Sequence, residues 1–174
     1  MNGAYPHFKP SYTHEELVEH FLLTPADLHL VLTCRGEANR CGMALLLKAL
    51  THLGYVPREP RCIPGEVRSF IAGQLGFLWD FCEQYPWDSR TQDQHLFLIR
   101  MHTGWRFPTA QDKEELEQWL RQEAAFQAHT ADRLFDCACR RLRDVRVELP
   151  AEDAADHRRN QLLGSFDERG NKVR

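Results

Sequence analysis

The sequence contains no long apolar run. No stretch approaches the ~20 apolar residues that a membrane-spanning helix needs. The opening MNGAYPHFKPSYTHEE has no basic region followed by a hydrophobic one, so it does not read as a secretion leader. A cytoplasmic chain is the expectation. Positive charge is not in excess either: Lys and Arg number 22 against 25 Asp and Glu, a net charge of -3. That excludes a binder of nucleic acid by bulk charge. It does not exclude a local basic face, because phosphate binding depends on where the arginines stand.

Metal chemistry has little to work with. Six cysteines stand at 34, 41, 62, 82, 137 and 139. A structural zinc site needs two close pairs of thiols or imidazoles. Cys137 and Cys139 have no second pair nearby, and none of the nine histidines sits in a His-Glu-x-x-His motif. Neither a metal nor another cofactor is expected. Without a leader, the thiols are expected to be reduced and mostly buried. Glu114, Glu115, Glu117 and Glu123, interleaved with Lys113 and Arg121, read as a solvated helix face rather than an acid–base pair. No alternating strand of useful length and no internal repeat occurs. The sequence carries no enzymatic constellation.

What it does carry is helical punctuation. In THEE, Thr13 and Glu16 form a capping box ahead of Leu17, Val18 and Phe21. In TPADL, Thr24 caps, Pro25 suits the first helical position and Asp27 favours the positive end of the helix dipole. Gly36 suits a left-handed stop, Asn39 suits a cap, and a nearly all-apolar helix then runs to Gly54. After the proline-rich YVPREPRCIP, further helices are expected from Pro64 to about Gly76, in FLWDFCEQYPW, from Ser89 to Gly104, after Thr109, and over DRLFDCACRRLRDV. His95 lies near the inward face of its helix and reads as a satisfied core histidine. The fold class is all-α, about eight helices in two clusters. The expected layout is a flexible arm (1–12), a first cluster (13–56), a second cluster (64–149) and a disordered tail (150–174).

Three groups of polar residues stand out. Arg35, Asn39 and Arg40 open the central helix. Arg90 and Thr91 begin another helix, and Arg106 follows a glycine turn. Arg140, Arg141, Arg143 and Arg146 fall within seven residues. Each group fits ordinary helix-end chemistry, in which side chains cap, pair or face the helix dipole. Each also fits a polyanion partner, because helix starts offer free amides and arginine offers a bidentate fork. The residues alone leave both readings open.

A resemblance bears on that choice. LVEHFLLTPADLHLV, RGEANRCGMALLLKALTHLGYVP, EVRSFIAGQLG, YPWDSRTQDQHLFLIRMHTGWRFPT and a closing VELP follow one another over about residues 14–150. In this order they resemble the N-terminal region of Tn-three-family bacterial transposases. The run R-G-[DE]-A-N-R-x-G is the most specific piece. The block Y-x-W-x-x-R-T, with a later H-L and G-[WF]-R, is the second. The resemblance implies helix-turn-helix-like modules that bind double-stranded DNA at the terminal inverted repeats of a transposon. It also implies a ribonuclease-H-like catalytic domain far beyond these residues, so strand-transfer chemistry is not expected here. The three groups above become the expected DNA-binding residues. The competing expectation is a helical module that binds a full-length transposase or itself. It takes support from the net charge and from the acidic segment 112–123.

Overall fold

The computed structural model describes residues 5–78, 83–126 and 131–150. Among them are seven α-helices: α1 (His14–Phe21), α2 (Pro25–Leu32), α3 (Glu37–Leu53), α4 (Gly65–Gln74), α5 (Arg90–Thr103), α6 (Ala110–Phe126) and α7 (Ala131–Asp144). One 3-10 turn, Pro60–Cys62, interrupts the proline-rich connection. The only extended pairing among the described residues is a single parallel bridge between Arg106 and Val147. The all-α class is therefore as expected. Residues 79–82 of the helix expected in FLWDFCEQYPW, and residues 151–174 of the tail expected over 150–174, lie outside the described residues.

The starts of α1, α2 and α6 follow the predicted cap chemistry. Thr13 and Glu16 exchange backbone-to-side-chain bonds at α1, and Thr24 and Asp27 do the same at α2. Thr109 and Asp112 repeat the device at α6. Gly54 and Gly104 close α3 and α5 in the left-handed conformation, at φ 83° and 76°, which glycine adopts without a Cβ penalty.

Contacts divide the chain into two units, residues 7–105 and residues 1–6 with 106–174. In the 7–105 unit α3 is central. Every residue from Cys41 to Leu50 is buried, so this helix has no solvent face over that length. It packs against α1, α2, α4 and α5. Burying each of its leucines contributes ~1.5–3 kcal/mol. The helices on both sides of the proline-rich connection belong to this unit. Glu66 of α4 accepts from the Tyr12 amide at 2.8 Å. Gln74 accepts from the Leu23 amide at 2.8 Å and donates to the Phe21 carbonyl at 3.1 Å, bracing the α1–α2 junction. Cys41 departs from the expectation of reduced thiols: it is disulfide-bonded. Cys34, Cys62, Cys137 and Cys139 are free, and Cys62 is exposed.

In the other unit, α6 and α7 share a small core of Leu120, Leu134 and Ala138, flanked by Leu116 and Trp119. The backbone after α7 pairs with the backbone before α6: the Arg106 amide donates to the Arg146 carbonyl at 3.0 Å, and the Glu148 amide to the Arg106 carbonyl at 2.9 Å. Tyr5 is buried here, its ring stacked on Phe135 and its hydroxyl donating to the Pro150 carbonyl. No helix among the described residues is long and apolar enough to cross a membrane.

Candidate nucleic-acid interface

The turn between α2 and α3 is built by the residues that the sequence marked, in a different division of labour. Gly36, at φ 83° and ψ 147°, is the N-cap of α3, so the helix starts at Glu37 and not after Asn39. Asn39 lies in the first turn, where its Nδ2 donates to the Arg35 carbonyl at 2.9 Å. Arg40 spends its Nε on the Cys34 carbonyl at 3.0 Å. These two side chains close the turn from inside. Arg35 is exposed and makes no ion pair among the described residues. Glycine has no side chain with which to cap, so the N-cap of α3 makes no side-chain cap bond.

Behind this turn runs a buried chain of polarisable groups. Tyr85 OH lies 2.8 Å from His95 Nδ1, His95 Nε2 lies 3.5 Å from Cys34 Sγ, and Cys34 Sγ lies 3.0 Å from Met43 Sδ. With the thiol proton directed to Met43 Sδ, the self-consistent tautomer has Nε2–H donating to Cys34 and Nδ1 accepting from Tyr85. Burial pushes the His95 imidazole below its ordinary value, keeping it neutral, and pushes the Tyr85 hydroxyl up. His95 is thus the satisfied core histidine that its position suggested.

That chain fixes how α3 and α5 run. His95, near the start of α5, touches Cys34 just before α3. Later in α5, His102 Nε2 meets Asp27 Oδ1 at 3.0 Å, and the same carboxylate holds Lys48 Nζ, well along α3, at 2.8 Å. The two helices therefore run parallel, with their N-termini at one end of the unit. At that end Ser89 caps α5, and Arg90, exposed, follows it, with Thr91 half-buried. The positive poles of both helices lie at that end, with Arg35 just before one helix start and Arg90 at the first residue of the other. Glu37, Asp88 and Asp93, all exposed, lie there too.

The remaining candidates belong to the other unit. Arg106 forms a bidentate pair with Asp112, both bonds at 2.6 Å. The Arg106 guanidinium, with the Thr109 hydroxyl and amide, holds the Asp112 carboxyl well below the usual carboxylate range. Arg140 is exposed on α7, and Arg143, three residues on, is half-buried. Arg141 turns back over the Trp119 ring, 5.0 Å from its centroid. Arg146 lies past the helix in a left-handed conformation, φ 56°. There the Val147 amide donates to the Leu142 carbonyl at 2.8 Å and the Arg146 amide to the Arg143 carbonyl at 2.9 Å. This is a Schellman closure with arginine where glycine is usual. The run of four arginines is therefore split between an outward helix face, an aromatic contact and a turn.

A family profile described as "Domain of unknown function (DUF4158)" matches residues 2–154. The chain belongs to that family. A curated relative of this DUF4158 chain is the protein named "Transposase for transposon Tn1546" from Enterococcus faecium, 28% identical over 132 residues. The match takes in 76% of this chain and 13% of the relative, so the DUF4158 chain spans about an eighth of that protein's length.

Two features of this DUF4158 chain escaped the sequence. One is the trio of buried Asp27 and Lys48 with the more exposed His102. Burial alone would push the Asp27 carboxyl up, but bonds from Lys48, the Thr24 amide and His102 outweigh it and lower the pKa to about 2. A lone lysine inside MALLLKAL was the available signal, since a lysine packed among leucines needs a counter-ion. The other is Gly42. A Cβ built there would overlap the Tyr85 ring, so the last glycine of R-G-E-A-N-R-C-G is the seat of an aromatic side chain. Among the described residues no three His, Cys, Asp or Glu side chains gather as a metal site would require.

Proposed function

We propose that this chain is the DNA-binding module of a transposase, gripping the terminal inverted repeats of an element of the Tn-three type. The observation that carries the reading is the parallel placement of α3 and α5, which brings two helix N-termini, Arg35 and Arg90 to one end of the 7–105 unit. The likeness to a protein named as a transposase, over most of this chain, supports the choice of polyanion. Arg35, Arg90 and the Thr91 hydroxyl contact phosphates and set the register. Asn39 and Arg40 shape the turn that presents them. Arg140, Arg143 and Arg146 supply contacts from the other unit, and Arg106 joins them only by leaving Asp112. These residues bind and position DNA, with the cutting and joining chemistry assigned to other parts of a transposase. A cytoplasmic location goes with this role.

A mobility-shift titration tests the proposal, using a duplex selected by the protein from a library with a randomised core. Neutralising four to six phosphates gives a log–log salt slope of about -4 to -5. Replacing Arg35 and Arg90 together by Ala should make that slope shallower by about 2. A wild-type slope near -1, or one unmoved by the double replacement, overturns the reading.

A second reading is a protein-binding module for a full-length transposase or for a second copy of the chain. The acidic outer face of α6 favours it: Glu114 and Glu115 are exposed, and Glu117 pairs with its neighbour Arg121. Light scattering after size exclusion, with and without the selected duplex, separates the two. Association that needs no DNA and disappears when Glu114 and Glu115 become Gln supports this second reading.

A further inference from the structure

The outward face of α5 is chemically unusual. Arg90, Gln94, Phe97 and Met101 recur at intervals of four, three and four residues, which places them on a single helical stripe. All four are exposed, Phe97 at 60% and Met101 at 72%, while Leu96 and Ile99 on the opposite side fill the core. Asp93 flanks the stripe and is also exposed. Folding the 7–105 unit gives no reason to leave a phenylalanine and a methionine in water, one turn apart.

We propose that α5 is the helix that reads base sequence, lying in the major groove with this stripe against the base edges. The inference rests on the DNA-binding reading above and adds the element and the chemistry of recognition. The groove floor offers guanine O6 and N7 to an arginine, adenine N6 and N7 to a glutamine, and thymine methyl groups to apolar side chains. The stripe holds one glutamine and two apolar side chains in that sense, with Arg90 at its N-terminal end left to the phosphates. The distance from Arg90 to Met101 is ~16 Å along the axis, or about five base-pair steps. The charge pattern decides which part of the duplex each segment meets. Asp93 beside the stripe disfavours a phosphate backbone and suits the amino group of cytosine. The phosphates fall to Arg90, Arg35 and the start of α3, at the N-terminal end of the same stripe. A protein partner fits less well. A stable interface buries roughly 800 Å² on each side, and two apolar side chains framed by Arg90, Asp93 and Gln94 fall short of that.

The test uses the full chain and the selected duplex, with each thymine replaced in turn by deoxyuridine, which removes only the methyl group. At one or two positions wild-type affinity should fall about three- to fivefold, the loss expected for one buried methyl. Phe97→Ala or Met101→Ala should lose affinity on the thymine duplex and be indifferent to uracil at the matching position. Both side chains are exposed, so melting temperatures should stay within a degree or two of wild type. If both variants bind like wild type and keep its uracil sensitivity, the assignment of α5 falls while the DNA-binding reading stands. If the library yields no duplex that outcompetes random DNA, both fall. If Phe97→Ala leaves DNA binding intact and instead abolishes self-association in light scattering, the stripe is a protein surface and the assignment is overturned.

Discussion

At the scale of single residues, Gly42 offers the sharpest check on the packing. Glycine to alanine inside a helix ordinarily stabilises, by ~0.5–1 kcal/mol. Here the added methyl must displace the Tyr85 ring, and overpacking of this kind costs ~1–3 kcal/mol or more. Gly42→Ala should therefore lower the urea midpoint. Gly73→Ala on α4, where a Cβ would meet nothing within 4 Å, should raise it. Asp27 makes a separate point about pH. Its folded-state pKa of about 2 lies below the ordinary 3.8, so its contribution to stability is complete above pH 4 and is lost as the pH falls through 2. Asp27→Asn should be less stable at neutral pH and show a flatter acid limb between pH 4 and 2. Lys48→Met leaves the buried carboxylate without its main partner and should cost ~3–5 kcal/mol. The partners in neither feature were legible beforehand, because each joins residues far apart in sequence: Gly42 with Tyr85, and Asp27 with Lys48 and His102; only Lys48 itself, lone in MALLLKAL, signalled a need for one. What could be read was local: the caps at Thr13, Thr24 and Thr109, the glycine stops at 54 and 104, and the inward side of His95.

At the scale of elements, helix ends were easier to place than the turn between α2 and α3. Asn39 has the right chemistry for a cap, and sequence rules choose it over Gly36. The backbone chooses Gly36 because its positive φ lets the chain reverse within Cys34–Gly36, and Asn39 then serves the same turn from inside the helix. The end of α7 shows the converse. Arg146 occupies a left-handed position at a conformational cost of ~1–2 kcal/mol relative to the usual region. A glycine at 146 relieves that cost but also removes the side chain's own interaction, so the change in urea midpoint on Arg146→Gly shows which of the two is larger: a rise if the backbone cost is. A marked fall would mean that the side chain itself anchors the turn. If the same variant loses DNA affinity, the arginine is retained there for its partner and not for the fold.

At the scale of the whole molecule, proline density marked where helices stop but said nothing about packing. Glu66 and Gln74 reach back from α4 to the α1–α2 region, and the contacts divide between Trp105 and Arg106. The 7–105 unit holds its own core, with α3 buried on all sides from Cys41 to Leu50. Residues 7–105 expressed alone should stay helical by circular dichroism and melt in one cooperative step. A broad, featureless melt would show that its stability depends on the remaining chain. Composition could not reveal the candidate interface, because its cations are few and the net charge is negative. Only the direction in which α3 and α5 run collects them.

That shared direction has an energetic side. Two helices laid side by side with the same polarity set like poles against each other, and the resting protein holds a modest internal repulsion at that end. Any multivalent anion seated there relieves it. Heparin, with no base sequence at all, should therefore raise the melting temperature more than an equal concentration of chloride. The protein would then report its partner's charge through its own heat stability, before a single nucleotide of the target is known.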